Sequence, residues 1–163
     1  MKENYKYWSG TFLISTFFIF VLTVQAQPER MLENYKPVID LTTQIVALLE
    51  METTTDLALS AEQATELAPM LEYLQTSDTL TTDEALAYQT QLSEDILTPE
   101  QRDWMLSRAQ EVSGELFNSQ SRPPGGFGLA MKLMVGEPVN LVKEGPGKDS
   151  LNELAELVAA KAS

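Results

Sequence analysis

The chain reads LSAEQ at residues 59–63 and LTPEQ at residues 97–101, and these two stretches have the pattern of helix starts. Each places a hydroxyl residue three positions before a glutamine. In the first, the Ser60 side chain can accept the backbone N–H of the third helical position, and Gln63 can reach back to the N–H of Ser60. The second repeats the arrangement with proline at the first helical position, where a missing N–H is tolerated. Both stretches therefore predict the start of an α-helix.

Two further stretches, TTDE from residue 81 and SLNE from residue 150, have the same cap pattern. Leu59, Leu80 and Leu97 stand directly before three of the caps, where an apolar residue can fix the direction from which the chain enters the helix. Four caps of this kind predict four helix starts and carry no direct information on function. The predicted cap residues, in pairs, are Ser60 and Gln63, Thr81 and Glu84, Thr98 and Gln101, and Ser150 and Glu153.

Apolar residues recur at spacings of three and four along most of the chain, which is the period of an amphipathic helix. Because the caps that follow Leu59, Leu80 and Leu97 are close together, the connections are short and favour antiparallel neighbours. We therefore predict an all-α fold: a small bundle of short capped antiparallel helices, a Gly/Pro-rich segment and a C-terminal helix. The predicted core stripes are Val38, Leu41, Ile45, Leu48 and Leu49; Ala64, Leu67, Leu71 and Leu74; Ala85, Tyr88, Leu92 and Ile96; Met105, Ala109, Val112 and Leu116; and Leu151, Leu154 and Leu157 or Val158.

The first 26 residues have the features of a secretory signal peptide. Lys2 and Lys6 precede an uncharged apolar run at residues 12–24, and Ala26 ends a small-residue cleavage pattern. The uncharged stretch from residue 7 to residue 28 is also long enough to cross a bilayer, so an uncleaved anchor is the alternative. We expect an exported protein, periplasmic or extracellular, which is membrane-tethered only if the signal is retained.

The chain is strongly acidic, with a formal net charge of −13. Nucleic acid and anionic lipid are therefore unsuitable partners, because their phosphates would be repelled. The charge suits a solvated helix surface, and it is also compatible with cations or basic protein segments. The absence of cysteine and histidine excludes disulfides, nucleophilic pairs that need either residue, and zinc sites of the usual type.

The stretch from residue 118 to residue 149 differs from the rest of the chain. It contains SRPPGGFG at residues 121–128 and GPG at residues 145–147, which exclude a regular element at each end. Its apolar middle can pack back on the helices, belong to a flexible linker or dock a partner. The predicted organisation is a signal peptide at 1–26, a helical domain at 27–117, the Gly/Pro-rich segment at 118–149 and a C-terminal helix at 150–163.

Trp104, Met105 and Leu106 are adjacent apolar residues, and all three cannot face a single core from one helix. Trp104 or Leu106 must therefore face a second helix, a dimer contact or a client. The acids near the predicted helix ends suit solvation or capping, because a paired-acid active site needs two carboxylates in different environments inside a cleft. We predict no catalytic, cofactor or metal site. The candidate partner contacts are Trp104, Leu106, Phe127, Met131 and Met134.

Together, LSAEQ and LTPEQ resemble the paired LTxxQ motif of the Spy/CpxP-type periplasmic proteins, with serine in place of threonine in the first copy. The resemblance covers the helical region from about residue 57 to residue 117, together with the signal peptide. It implies a small all-helical exported protein, often a cradle-shaped dimer, that acts as an ATP-independent chaperone or stress sensor. It also implies that the motif residues serve helix ends and turns rather than catalysis.

The leading hypothesis is therefore a non-enzymatic binding protein of the cell envelope, chaperone-like or stress-related. Its partner would be a protein or an unfolded client, and it could form a homodimer. The alternative is a structural scaffold that docks a specific envelope partner through residues 122–149.

Overall fold

The computed structural model describes the backbone of residues 27–116, 132, 137 and 139–163, and the side chains within 34–115, at 132 and 137, and within 139–163. These residues form six α-helices that pack into a small bundle, and they contain no strand. The predicted all-α fold is confirmed. The predicted signal peptide at 1–26 lies outside the described residues. The described residues between 34 and 163 belong to one compact unit.

The helices differ in length more than the sequence pattern indicates. The first is the longest, with 28 residues, and the third continues directly into a π-helical turn. We number them α1 Gln27–Thr54, α2 Ala61–Thr76, α3 Thr82–Thr90 with the π-helical turn Gln91–Ile96, α4 Pro99–Leu116, α5 Leu141–Glu144 and α6 Lys148–Lys161.

The predicted caps of α2, α3 and α4 are present. Ser60 Oγ accepts the Gln63 N–H at 3.2 Å, and Gln63 Oε1 accepts the Ser60 N–H at 2.9 Å. The same reciprocal pair joins Thr81 with Glu84 at the start of α3. At the start of α4, the backbone N–H of Thr98 donates to its glutamine partner at 3.0 Å and Thr98 Oγ1 accepts at 3.3 Å. Three of the four predicted helix starts are therefore confirmed.

The fourth predicted cap, Ser150 with Glu153, is wrong. α6 already begins at Lys148, and its N-cap is Gly147, which makes no side-chain cap hydrogen bond. A Cβ at Gly147 would lie 2.8 Å from the Thr42 methyl carbon of α1. The start of α6 lies so close to α1 that glycine is favoured at the N-cap position. The helix therefore begins without a capping side chain.

Most of the predicted stripe residues lie in the core. Leu49 and Tyr88 are only partly buried, and Val139, Leu141 and Val142, which lie outside the stripes, also belong to the core. The π-helical turn carries Leu92 and Ile96 into it and ends where the Leu97 N–H donates to the Leu92 carbonyl at 3.0 Å. α2 packs against α6, and the short α5 packs against both. None of the helices in the described part of the chain is both long enough and apolar enough to cross a membrane. The buried stripe residues include Val38, Leu41, Ile45, Leu48, Leu67, Leu71, Leu74, Leu92, Met105, Leu151, Leu154 and Val158.

Candidate functional site

The two LTxxQ-like motifs meet in one joint, which we call the motif joint: residues 57–63 and 96–101. The Gln63 amide nitrogen donates to Gln101 Oε1 at 2.6 Å and to the Ile96 carbonyl at 2.8 Å. In return the Gln101 amide nitrogen donates to the Leu57 carbonyl at 3.1 Å and to Gln63 Oε1 at 3.3 Å. Each glutamine therefore caps its own helix and also holds the chain that leads into the other motif.

The leucines that open the two motifs are both buried, at 3% exposed for Leu59 and 7% for Leu97. An ion pair further anchors the first motif. Glu52, whose side chain is 7% exposed, accepts the Leu59 N–H at 2.7 Å and pairs with Lys161 at the end of α6. Lys161 also donates to the Leu59 carbonyl at 2.8 Å. These contacts hold the last residue of α6 against the motif joint.

The third cap forms a separate network around Glu84. The Tyr73 hydroxyl donates to one carboxylate oxygen at 2.6 Å, and Thr81 donates to the other through its backbone N–H at 2.8 Å and its hydroxyl at 2.7 Å. The hydrogen bond from Tyr73 contributes most, followed by those from Thr81, to holding the pKa of Glu84 below its ordinary value of 4.5. The Tyr73 ring also contacts the ring of Tyr88, with centroids 5.7 Å apart.

Trp104 and Leu106 lie on different sides of α4, because they and Met105 are adjacent and cannot all face one core. Met105 is fully buried, and Trp104 is half-buried against the core. Leu106 is 38% exposed, and Leu86 on α3 is 48% exposed. Of the two predicted partner contacts that the structure describes, Trp104 and Leu106, it places Leu106 at the surface.

Three other predicted partner contacts, Phe127, Met131 and Met134, lie outside the described residues. Within the predicted docking segment, residues 139–142 are buried in the core, whereas Lys132, Glu137, Lys148 and Asp149 are exposed. Asn140 donates from its side-chain nitrogen to the Leu74 carbonyl at 2.7 Å and to the Ser77 carbonyl at 3.1 Å. The sequence pattern did not single out this anchor, because an isolated asparagine in a Gly/Pro-rich stretch also suits a turn.

A cavity of about 370 Å³ opens between α1, α3 and α4, and we call it the α1–α4 cavity. Seven of its nine lining residues are polar, and the other two are Leu106 and Ala109. Helical periodicity does not indicate this cavity, because its polar residues lie outside the predicted apolar stripes. It is lined by Lys36, Asp40, Thr43, Gln44, Gln89, Leu106, Ala109, Gln110 and Ser113.

Gln44 is the unusual residue of the cavity wall. It is only 6% exposed, and its Oε1 atom is buried with no hydrogen-bond donor among the described residues. A buried acceptor left without a donor costs about 1–3 kcal/mol. Asp40, one turn earlier on α1, pairs with Lys36 at 2.5 Å. Asp40 and Gln44 both line the cavity, while the Oε1 atom of Gln44 is itself buried.

The remaining acidic residues have positions suited to surface and structural roles. Asp83, Glu94, Asp95, Glu100 and Asp103 are exposed. Within the described ranges, no group of three or more acidic side chains is arranged to hold a metal ion. Arg108 joins α4 to α1 through Glu50, at 2.5 and 3.2 Å, and to Glu111 at 2.8 Å.

Comparison with protein-family models, with curated proteins and with solved structures finds no match to this chain. The residues themselves therefore carry the functional argument.

Proposed function

We propose that this protein is a non-enzymatic binding protein of the cell envelope, related to the LTxxQ group, that holds unfolded client proteins without ATP. The motif joint is the observation that carries the proposal. Two independent helix starts would need each glutamine to serve only its own helix. Here the Gln63 amide nitrogen donates to Gln101 Oε1 at 2.6 Å and to the Ile96 carbonyl, which precedes the second motif, at 2.8 Å. The Gln101 amide nitrogen donates to the Leu57 carbonyl, which precedes the first motif, at 3.1 Å. The two copies act as one structural unit, which supports the resemblance.

The exposed leucines supply a client-binding surface for this proposal. Leu86 and Leu106 lie on α3 and α4, the helices that carry the Glu84 cap network and the second motif. An unfolded client exposes apolar side chains, and exposed apolar residues of a binding protein can cover them. The net charge of −13 favours clients that are basic, because like charges would repel.

The carboxylates support the non-enzymatic part of the proposal. Glu52 and Glu84 are each tied to backbone N–H groups and to a side-chain donor, so their charge is used in holding the fold. A general acid or base instead needs a proton at a site that the substrate can reach. The export part rests on the N-terminal sequence pattern.

Light scattering of heat-unfolding malate dehydrogenase tests the proposal. The purified protein at equimolar concentration, without nucleotide, should slow aggregation of this enzyme. The double substitution Leu86→Gln and Leu106→Gln should reduce the protection at least about twofold, because it removes two apolar contacts from the surface. Ala87→Gln, an exposed position on α3, is the matched control and should leave protection unchanged. No protection by the wild-type protein between 20 and 300 mM NaCl would refute chaperone activity.

A further inference from the structure

We propose that the motif joint is a latched apolar site: when the Glu52–Lys161 ion pair breaks, the joint opens as a unit, and its apolar residues bind an unfolded client. This inference rests on the proposed function and names where the client is held. In the part of the chain that the structure describes, two large apolar side chains are exposed, Leu86 and Leu106. Two leucines are a small surface for an unfolded polypeptide, which favours a second apolar surface that the closed structure covers.

The motif joint contains a covered apolar surface of this kind. Leu59 and Leu97 are 3% and 7% exposed, and Ile96 is 5% exposed. Leu57 is half-buried against the same core. These four residues lie at the connections that lead into α2 and α4. A local opening of the two connections therefore uncovers them while the helices stay folded.

The connection that leads into α2 is held by side chains rather than by a ladder of backbone hydrogen bonds. The Leu57 carbonyl accepts from the Gln101 amide nitrogen at 3.1 Å, and the Leu59 N–H donates to Glu52 at 2.7 Å. Lys161 donates to the Leu59 carbonyl at 2.8 Å. Connections open locally at a lower free energy than the core helices they join. Here the loss of a few side-chain contacts is enough to release the backbone.

The Glu52–Lys161 ion pair acts as the latch. The Glu52 side chain is 7% exposed, and its carboxylate accepts the Leu59 N–H as well as pairing with the Lys161 ammonium. A buried carboxylate that loses its cation is strongly destabilised, so Glu52 moves toward water and releases Leu59. Gln101 of the second motif binds the same connection through the carbonyl two residues earlier, so the release reaches the second motif.

Amide hydrogen exchange followed by NMR tests the opening in the full protein. Lys161→Met should accelerate exchange of the Leu59 and Thr98 amides together, by about tenfold or more relative to the Leu48 amide of the core. Lys161→Arg keeps the charge and the donors, and should leave the exchange within about twofold of wild type. Lys148→Met is the matched control, because it removes the same charge at an exposed position at the start of α6.

Light scattering of heat-unfolding malate dehydrogenase tests the client site. Lys161→Met should protect the enzyme about twofold better than wild type, because a larger share of the molecules is open. Adding Leu57→Gln should cancel this gain, because it removes an apolar residue from the opened joint. Ala58→Gln, added to Lys161→Met at the neighbouring exposed position, is the control and should leave the gain in place.

The exchange measurement can overturn the latch. Faster exchange of Leu59 alone would mean that the two motifs do not open together. Equal acceleration of the Leu48 amide would mean that the whole fold is weakened, and equal acceleration by Lys148→Met would mean that the position of the charge is irrelevant.

The client measurement separates the failure of this inference from that of the proposed function. If the wild-type protein protects the enzyme and Lys161→Met protects it no better, the proposed function stands and the joint is not the client site. If the joint opens but neither protein protects, the client assignment fails together with the proposed function.

Discussion

Gln101 is a buried polar side chain, 6% exposed, and it makes hydrogen bonds through both atoms of its amide group. Its oxygen accepts from the Thr98 N–H and from Gln63, while its nitrogen donates to the Leu57 carbonyl. Buried amides that satisfy each other in this way specify a single arrangement of the surrounding backbone. At the residue scale, the glutamines rather than the hydroxyl caps distinguish this joint from a pair of ordinary helix starts.

A double-mutant cycle measures how strongly the two glutamines act together. Gln63→Ala and Gln101→Ala should each lower the free energy of unfolding by about 1–3 kcal/mol, because each leaves buried partners unsatisfied. The coupling energy between them should be about 1 kcal/mol, since they share hydrogen bonds. Urea unfolding followed by circular dichroism gives both values. Gln110→Ala, an exposed position, is the control and should stay within about 0.5 kcal/mol of wild type. Additive losses would show that the caps act separately.

Glu84 gives the fold a dependence on pH. Its folded pKa lies below the ordinary value of 4.5, chiefly because the Tyr73 hydroxyl donates to the carboxylate and then because Thr81 does so. The folded state therefore holds the proton less tightly than the unfolded state does. The contribution of Glu84 to stability is fully present above pH 4.5 and is lost as the pH falls through the folded pKa.

Tyr73→Phe removes the largest of these hydrogen bonds. We expect the pKa of Glu84 to move up toward its ordinary value, and the loss of stability below pH 4.5 to become shallower. Carboxyl carbon chemical shifts measured by NMR against pH follow the titration directly. Tyr88→Phe is the matched control: its ring contacts Tyr73, while the carboxylate accepts from Tyr73 and Thr81. An equal shift in both variants would contradict the assigned cause.

At the scale of the element, α2 and α6 begin in opposite ways. α2 starts from a serine with a reciprocal cap, and α6 starts from a glycine held against α1. The two helices pack on each other, and α6 gains its position from this contact and from the Lys161 ion pair. Tertiary contacts can therefore replace a cap at the start of a helix, and a serine inside the first turn then contributes little.

Two serine substitutions compare these starts. Ser60→Ala should lower the free energy of unfolding by about 1 kcal/mol, because the Gln63 N–H loses its acceptor. Ser150→Ala should change it by less than about 0.5 kcal/mol, because Ser150 lies within the helix and caps nothing. Thermal and urea unfolding of the two variants and the wild type measure the difference. If Ser150→Ala lowered the free energy of unfolding as much as Ser60→Ala, Ser150 would be a helix cap, as the sequence predicts.

At the scale of the whole molecule, 24 acidic residues oppose 11 basic ones. Self-repulsion of this charge weakens the compact state, and salt screens it over a distance of about 10 Å at 0.1 M. We expect the thermal midpoint to rise by a few degrees between 10 and 300 mM NaCl, measured by differential scanning calorimetry. Potassium chloride should act equally, as an ionic-strength effect requires. A falling midpoint would mean that ion pairs such as Arg108 with Glu50 outweigh the repulsion.

Much of the fold could be predicted because its signals are local. The caps at Ser60, Thr81 and Thr98 need only residues three positions apart, and the apolar stripes need only a regular period. The direction of Leu106 was predicted as one of two choices, since three adjacent residues cannot all face one core. Asn140 and Gly147 could not be found in this way, because each is defined by a residue on another helix or connection. Gln44 could not be found because its burial depends on the helices packed beside α1.

The sequence alone determined that the chain forms capped amphipathic helices and that it is acidic, because both properties depend on neighbouring residues and on composition. Three features depend on how the helices pack: Gln63 and Gln101 bond to each other, α6 begins two residues before its predicted cap residue, and a cavity forms beside Gln44. These features depend on groups far apart in the chain coming within a few ångströms of one another. The spacing of residues along the chain does not predict which distant groups come close in space.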